Sequence, residues 1–350
     1  MADVPITGPA APKPVAHGGD LSAVRRRFPT APQPWIDLST GINPVAYPVA
    51  QLPPEIWSRL PTREAEQALL AAAARRYGIP DAATIVAAPG TQALIQLLPR
   101  LMPRSRVAIV GPTYAEHELC WRRAGHDVAV VPDIVEASGA DIVVVVNPDN
   151  PTGRLLAPRA LRAVETALLV VDEAFIDFLP PEASLAGDLP ANTVVLRSFG
   201  KTYGLAGVRL GFAVAPARFA RRLRDELGPW AVSGPAAEIG RIALDDETWL
   251  QAAARRLAAD GAKLDALLVA AGFTLLGGTS LFRLAGHTDA GQLVEALARH
   301  GLHVRSFAEQ PTRVRFGLPA SDEDFHRLAA ALQVPQKVWQ TRWSSGGGSV

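Results

Sequence analysis

The chain reads as an α/β protein, with a large domain on a mostly parallel sheet and a smaller α+β domain after it. Three observations predict this. Short apolar runs at 106–110, 127–131, 141–146, 168–171, 193–196 and 210–214 alternate with helical pieces, and several are apolar throughout. Such runs suit a sheet covered on both faces, and the alternation suits parallel strands. After Pro216 the texture changes to a long helical zone followed by strands. A length of 350 residues is more than one simple core needs.

In chain order, residues 1–16 are rich in Pro and Ala and predict an irregular arm. Over 64–77, Leu69, Leu70, Ala73 and Tyr77 recur at helical spacing, and Gly78 supplies a stop. The six apolar runs follow. The helical zone spans about 219–271, with expected breaks near Gly228-Pro229 and at Gly261. Strands are expected at 273–276, 280–284, 302–305 and 312–318. Between them, 289–300 is a helix with Leu293 and Leu297 on one face, ended by Gly301. Ser321-Asp322-Glu323-Asp324 resembles a capping box opening a last helix with Phe325 and Leu328. The expected division is an arm at 1–40 joining the small domain, a large domain at 41–218, the small domain at 219–335 and a flexible Gly/Ser tail at 336–350.

Composition narrows the function classes. With 48% hydrophobic and 20% charged residues the chain folds, and a net charge of +1 offers no basic stripe for nucleic acid. One cysteine, Cys120, excludes a disulfide framework and a cysteine-based metal site, and fits a reducing compartment. Residues 1–14 lack a secretory pattern, and no apolar stretch approaches membrane-spanning length. The expectation is a cytoplasmic protein without a membrane or metal partner.

Four lysines stand against 31 arginines. Lys13 is in the Pro-rich leader, Lys263 in a helical stretch and Lys337 in the tail. Lys201 sits in Ser198-Phe199-Gly200-Lys201-Thr202-Tyr203-Gly204, directly after an apolar strand, with Arg209 eight residues on. Arginine stays protonated, whereas a desolvated lysine can lose its proton and attack a carbonyl. Four further segments lie at predicted strand ends. Pro89-Gly90-Thr91-Gln92 opens a helix, where backbone N–H groups can hold a phosphate. Pro112-Thr113-Tyr114, Asn147 to Gly153 and Asp172-Glu173-Ala174-Phe175 each follow a strand. Ligands of open α/β sheets bind outside the carboxyl ends of strands, so the five segments converge on one crevice. Taken singly, Gly90 could serve a turn, Tyr114 a core and Asp172 a helix cap. Together they supply a carboxylate for a ring nitrogen, an aromatic face, an amide and an imine-forming lysine. That is the equipment of pyridoxal 5′-phosphate chemistry, in which the cofactor is the electron sink.

The order Gly90-Thr91, Tyr114, Asn150-Pro151-Thr152-Gly153, Asp172-Glu173-Ala174 and Ser198-x-x-Lys201 resembles the fold-type I pyridoxal-phosphate enzymes of the aspartate aminotransferase superfamily over about 17–333. Within it the chain is similar to histidinol-phosphate aminotransferases and to the L-threonine-O-3-phosphate decarboxylases of cobalamin biosynthesis. His17-Gly18-Gly19 before Ser39-Thr40-Gly41-Ile42-Asn43-Pro44, the run Asp172 to Phe178, and Val304-Arg305-Ser306 before Thr312-Arg313-Val314 favour the decarboxylases. The resemblance implies a homodimer acting on a small phosphorylated amino acid. It implies that Lys201 binds the cofactor covalently, Asp172 pairs with the ring nitrogen, Asn150 bonds the ring hydroxyl and Tyr114 stacks. Gly90, Thr91, Ser198 and Arg209 would hold the cofactor phosphate. His17 and Arg305 would hold the substrate phosphate and Arg313 its carboxylate. Two positions depart from the aminotransferase pattern: Phe175 and Leu60 stand where that family carries tyrosines.

Other classes fit less well. A phosphate-loop NTPase needs a glycine where Val195 stands, and no G-x-G-x-x-G supports a nicotinamide enzyme. A non-catalytic binding protein of this fold is expected to lack Lys201 or Asp172, and both are present. The remaining rival is an aminotransferase acting on histidinol phosphate at the same site.

Overall fold

The structure, a computed structural model, describes residues 18–335, so His17, Lys13, Lys337 and the 336–350 tail lie outside it. In chain order the elements begin α1 (Ser22–Arg27), β1 (Ile36–Leu38), α2 (Pro54–Ser58) and α3 (Arg63–Tyr77). Next come β2 (Ile85–Ala88), α4 (Thr91–Leu101), β3 (Arg106–Val110), α5 (Ala115–Arg123), β4 (Asp127–Val131) and β5 (Ile142–Val146). Then follow α6 (Pro158–Arg162), β6 (Leu168–Asp172), β7 (Thr193–Ser198), α7 (Phe199–Thr202) and β8 (Gly211–Val214). The second half holds α8 (Ala217–Leu227), α9 (Gly234–Asp245), α10 (Glu247–Ala270), β9 (Thr274–Thr279), β10 (Phe282–Gly286), α11 (Ala290–Arg299), β11 (Leu302–Ser306), β12 (Arg313–Gly317) and α12 (Asp322–Ala331).

Seven strands form one sheet in the order β2-β8-β7-β6-β5-β3-β4. Strands β7, β6, β5, β3 and β4 run parallel, and β8 runs antiparallel to both its neighbours. Strand β5 is buried at every position because its alternating side chains feed two cores. Val143 and Val145 pack with Leu69, Tyr77 and Ala236, while Ile142 and Val144 pack with Leu94, Leu98 and Trp121. Each buried valine contributes about 1.5–3 kcal/mol. The reversed strand β8 has a positional consequence. Its first residue, Gly211, is the register partner of both Ala88 and Ser198, so the start of β8 shares an end with the close of β2 and β7.

A second sheet, β1-β11-β12-β10-β9, is antiparallel except for the β1–β11 pair. Its core gathers Leu38, Leu264, Leu267, Phe282, Phe316 and Phe325. Local rules fix the helix ends. Thr62 Oγ1 accepts from Ala65 N (3.2 Å) to open α3, and Gly78 closes it at φ 65°. Ser321 Oγ accepts from Asp324 N (3.2 Å) to open α12.

Two expectations need correcting. Gly261 does not break the helical zone; it lies inside α10, buried. A Cβ there would fall 2.5 Å from Arg283 Nη2, so this glycine serves close approach and not a stop. The break comes at Asp246, whose carboxylate caps α10 by accepting from Trp249 N (2.9 Å). Strands β1 and β2 were also not expected, being three and four residues long.

Candidate active site

Strand ends bring the sequence-predicted groups together. Asp172 closes β6 and is buried. Its Oδ2 lies 3.0 Å from His117 Nε2, and its Oδ1 accepts from Ala174 N (3.1 Å). Burial pushes the Asp172 carboxyl upward, but the hydrogen bond and charge of His117, with Lys201 beyond, hold it below the ordinary value. Lys201 lies on the one-turn α7 directly after β7, its Nζ 4.7 Å from the Phe175 ring centroid. Burial lowers its pKa, Asp172 opposes this, and Arg315 and Arg209 reinforce it. A lysine so placed is easier to deprotonate than a surface one.

Gly90 is the N-cap of α4 at φ 83°, with no side chain capping the helix start. A Cβ at Gly90 would fall 2.6 Å from Arg209 Nη2, so the glycine leaves room for that guanidinium beside the first N–H groups of α4. Arg209 itself holds a left-handed backbone at φ 57°. Ser198, at the end of β7, reaches the same corner through its register partner Gly211, and a Cβ there would fall 2.5 Å from Thr91 N. Among the described residues neither the Ser198 hydroxyl nor the Lys201 amine has a hydrogen-bond partner.

The loop after β5 is set by Asp149, which accepts from Thr113 Oγ1 (2.6 Å), Thr152 N (3.2 Å) and Thr152 Oγ1. It presents Asn150, whose Oδ1 accepts from Arg315 Nη1. The Asn150 amide N–H₂ has no partner among the described residues. Tyr114 is half-buried. Its hydroxyl donates to Gln92 Oε1 (3.2 Å), and its ring meets His117 edge-on at 6.1 Å. Burial, with Glu116 and Asp172 nearby, pushes its phenol up to about 12.

The two predicted substrate arginines fare differently. Arg305 is half-buried, with no ion pair or hydrogen bond among the described residues. Its register partner across the β11–β12 ladder is Arg315, not Arg313. Arg315 is buried, donates from Nη2 to Ser39 O (2.6 Å) and leaves Nε without a partner. Burial first, and Arg305 second, lower its guanidinium to about 10. Arg313 is half-buried like Arg305, and donates to Gln310 Oε1 (3.1 Å). Sequence spacing put both arginines on one face; depth along the strand separates them, and that depth is invisible in the sequence. His117 was missed as well, although Tyr114-x-x-His117 at helical spacing was its available signal. His17 lies outside the described residues. Gly18 and Gly19 next to it lie against Ser39, with Gly19 N donating to Ser39 Oγ (2.9 Å).

Pyridoxal 5′-phosphate fits this arrangement. A glycine cradle with an arginine suits its phosphate, a buried anion its ring nitrogen, a spare amide donor its phenolic oxygen and a free amine its aldehyde. Among the described residues no group of His, Cys, Asp and Glu could hold a metal ion. The profile of the family "Aminotransferase class I and II" matches residues 36–332. The chain belongs to the class I and II aminotransferase family. Among relatives of this family member, a threonine-phosphate decarboxylase of Sinorhizobium sp is 43% identical over 330 residues, 91% of this chain and 98% of that protein. Another threonine-phosphate decarboxylase, from Pseudomonas aeruginosa, is 40% identical over 90% of this chain and 96% of its own. Among solved structures, the histidinol-phosphate aminotransferase of Sinorhizobium meliloti in complex with pyridoxal-5′-phosphate matches at TM-score 0.74 and 22% identity. It covers 97% of this chain and 96% of that one, and shares the fold of this aminotransferase-family chain.

Proposed function

We propose that the protein is a pyridoxal-phosphate enzyme that decarboxylates L-threonine O-3-phosphate to (R)-1-amino-2-propanol O-2-phosphate, for cobalamin biosynthesis. The observation that carries this reading is the register pair Arg305–Arg315 beside Asn150. Two guanidinium groups side by side suit a small substrate with two anionic ends, since their forks match carboxylate and phosphate. The 40–43% identity to threonine-phosphate decarboxylases supports the same substrate.

Roles follow from position. Pyridoxal phosphate, when bound, would supply an electron sink for a bond at the substrate Cα. Lys201 would hold the cofactor, and its amine would be the group to supply the proton that replaces the departing carboxyl at Cα. Asp172, kept anionic, holds the ring nitrogen protonated, and His117 fixes the carboxylate. Asn150 donates to the ring oxygen, alone because Phe175 has no hydroxyl. Tyr114 covers a ring face. Gly90, Thr91, Ser198 and Arg209 take the cofactor phosphate. We assign the substrate carboxylate to Arg315 in place of Arg313, and the substrate phosphate to Arg305 with His17. The C1–Cα bond breaks, its carbon leaves as carbon dioxide, and the proton takes its place.

The proposal extends to a cytoplasmic homodimer, with the sheet β1-β11-β12-β10-β9 and the helices packed on it forming the substrate-side domain. Trp57 and Trp230 are exposed at 67% and 59%, and Leu60 at 64%. Gly234, the first residue of α9, packs on Ile56 O, next in sequence to Trp57, which brings α2 against the start of α9. Apolar surface of this kind marks an interface. No described helix is long and apolar enough to cross a membrane.

One assay tests the reaction. Enzyme mixed with threonine phosphate and no 2-oxo acid should release carbon dioxide steadily and keep its cofactor as the aldehyde. Arg315→Ala should lower kcat/KM by roughly a hundredfold or more, as loss of about 3 kcal/mol does, and Arg313→Ala by less than about fivefold. Conversion of the cofactor to pyridoxamine phosphate without gas would instead make this an aminotransferase.

A further inference from the structure

Beneath the site lies a buried ion cluster that touches none of the groups assigned to cofactor or substrate. Arg197 donates from Nη1 to Glu173 Oε2 (3.2 Å) and from Nη2 to Asp177 Oδ1. Its guanidinium also lies over the Tyr77 ring, 4.2 Å from the centroid. Glu173 further accepts from Ser184 Oγ (2.5 Å) and Leu185 N (2.8 Å). Thr202 Oγ1 donates to Asp177 Oδ2 (2.5 Å). Arg197, Glu173, Asp177 and Thr202 are all buried.

Such clusters are a poor source of stability. Desolvation offsets most of the attraction, and apolar side chains of the same volume often serve as well. A reason for keeping this one lies in the sequence. Three of its members each adjoin a residue of the site: Glu173 follows Asp172, Arg197 precedes Ser198, and Thr202 follows Lys201. Alternation along β7 turns Arg197 and Ser198 to opposite sides, and on α7 Thr202 points about 100° round the helix from Lys201, towards Asp177. Asp177 is the hub, joining Arg197 of β7 to Thr202 of α7.

We propose that this cluster is a positioning device: the Thr202 hydroxyl, anchored on Asp177 and through it on Arg197 and Glu173, fixes the single turn of α7 and so the place of Lys201 relative to Asp172. Four residues of helix have almost no stability of their own. The turn therefore needs external ties: Asn43 holds its backbone, donating from N to Lys201 O and from Nδ2 to Thr202 O (2.9 Å each), and Thr202 Oγ1 makes the hydrogen bond that comes from a side chain of α7 itself among the described residues. Thr202 is a positioning residue, acting through its neighbour.

The inference rests on the reading that Lys201 carries pyridoxal phosphate, and its test separates the two. Apo-protein reloaded with pyridoxal phosphate is treated with borohydride, and the label on the Lys201 peptide is followed in time. The pH midpoint of the bound cofactor's visible absorbance and the melting temperature are measured alongside. Thr202→Val should slow labelling about tenfold or more and move the absorbance midpoint, with kcat lowered more than KM, since displacements on the order of 1 Å suffice for such losses. Thr202→Ser, which restores the hydroxyl, should return all three towards wild type. A Thr202→Val protein that melts lower but labels and titrates as wild type would overturn the proposal, because the tie would then be structural only. If Thr202→Val is recovered unfolded, Thr202→Ala is read on the same measures. Failure of wild type to label at Lys201 would instead remove the underlying reading.

Discussion

At the scale of single residues, Lys201 was the most legible feature of the chain. A composition of four lysines and 31 arginines isolates it before any fold is known. Its energetic consequence is testable without substrate. Burial lowers its pKa in the folded state, so the unfolded chain binds the proton more tightly. Between the folded and unfolded values stability therefore rises with pH, and below both the full penalty remains. Lys201→Met removes that penalty. The variant should melt higher than the apo wild type near pH 7, by about 2 °C per kcal/mol released, and the gap should close towards the ordinary lysine value near pH 10. Thermal scans of both proteins across that range check the sign; a gap that widens with pH would contradict it. Arg315 was less legible. Arg313 and Arg315 share a face by alternation, and only the ladder pairing with Arg305 shows which one lies inside.

At the scale of elements, β3, β5, β6, β7 and β8 were readable because burial on both faces makes them mostly apolar, and the edge strand β4, largely exposed, was readable from its valines. The short strands were not. Three residues at β1 and four at β2 carry too little pattern, and their state is decided by partners far away in sequence. Gly261 misled for a related reason: a glycine needed for close approach looks like a glycine that ends a helix. The closest approach of all lies between Gly153, after Asn150, and the Gly277-Gly278 pair of β9. A Cβ on Gly153 would strike the backbone of Gly278, and one on Gly277 would strike Thr152 O. Gly153 also sits at φ +74°. Gly153→Ala should therefore destabilise by roughly 2–5 kcal/mol, combining left-handed strain with overpacking. It should also weaken cofactor binding by displacing Asn150. Urea denaturation and cofactor titration check both, and wild-type values in each would show that the loop can yield.

At the scale of the whole molecule, the exposed Trp57, Leu60 and Trp230 make an association surface the natural expectation. Trp57→Glu places a charge within it and should convert a dimer to monomers, seen as a halved mass in sedimentation, with the circular dichroism spectrum unchanged. An unchanged mass would place the interface elsewhere. The three residues of β1 carry a different consequence, one of timing. Ile36 pairs with Leu302, and Leu38 with Val304, so the first strand of the chain completes a sheet whose centre is made last. A ribosome adding about 5–20 residues each second needs roughly 10–50 s to cover that interval. The seven-stranded sheet ends at Val214, so the half of the molecule bearing Lys201 and Asp172 can assemble during synthesis. The half bearing Arg305 and Arg315 must wait for the end of the chain, with an unpartnered β1 held in reserve. On the roles proposed above, the nascent enzyme thus gains its place for the cofactor well before its place for the substrate.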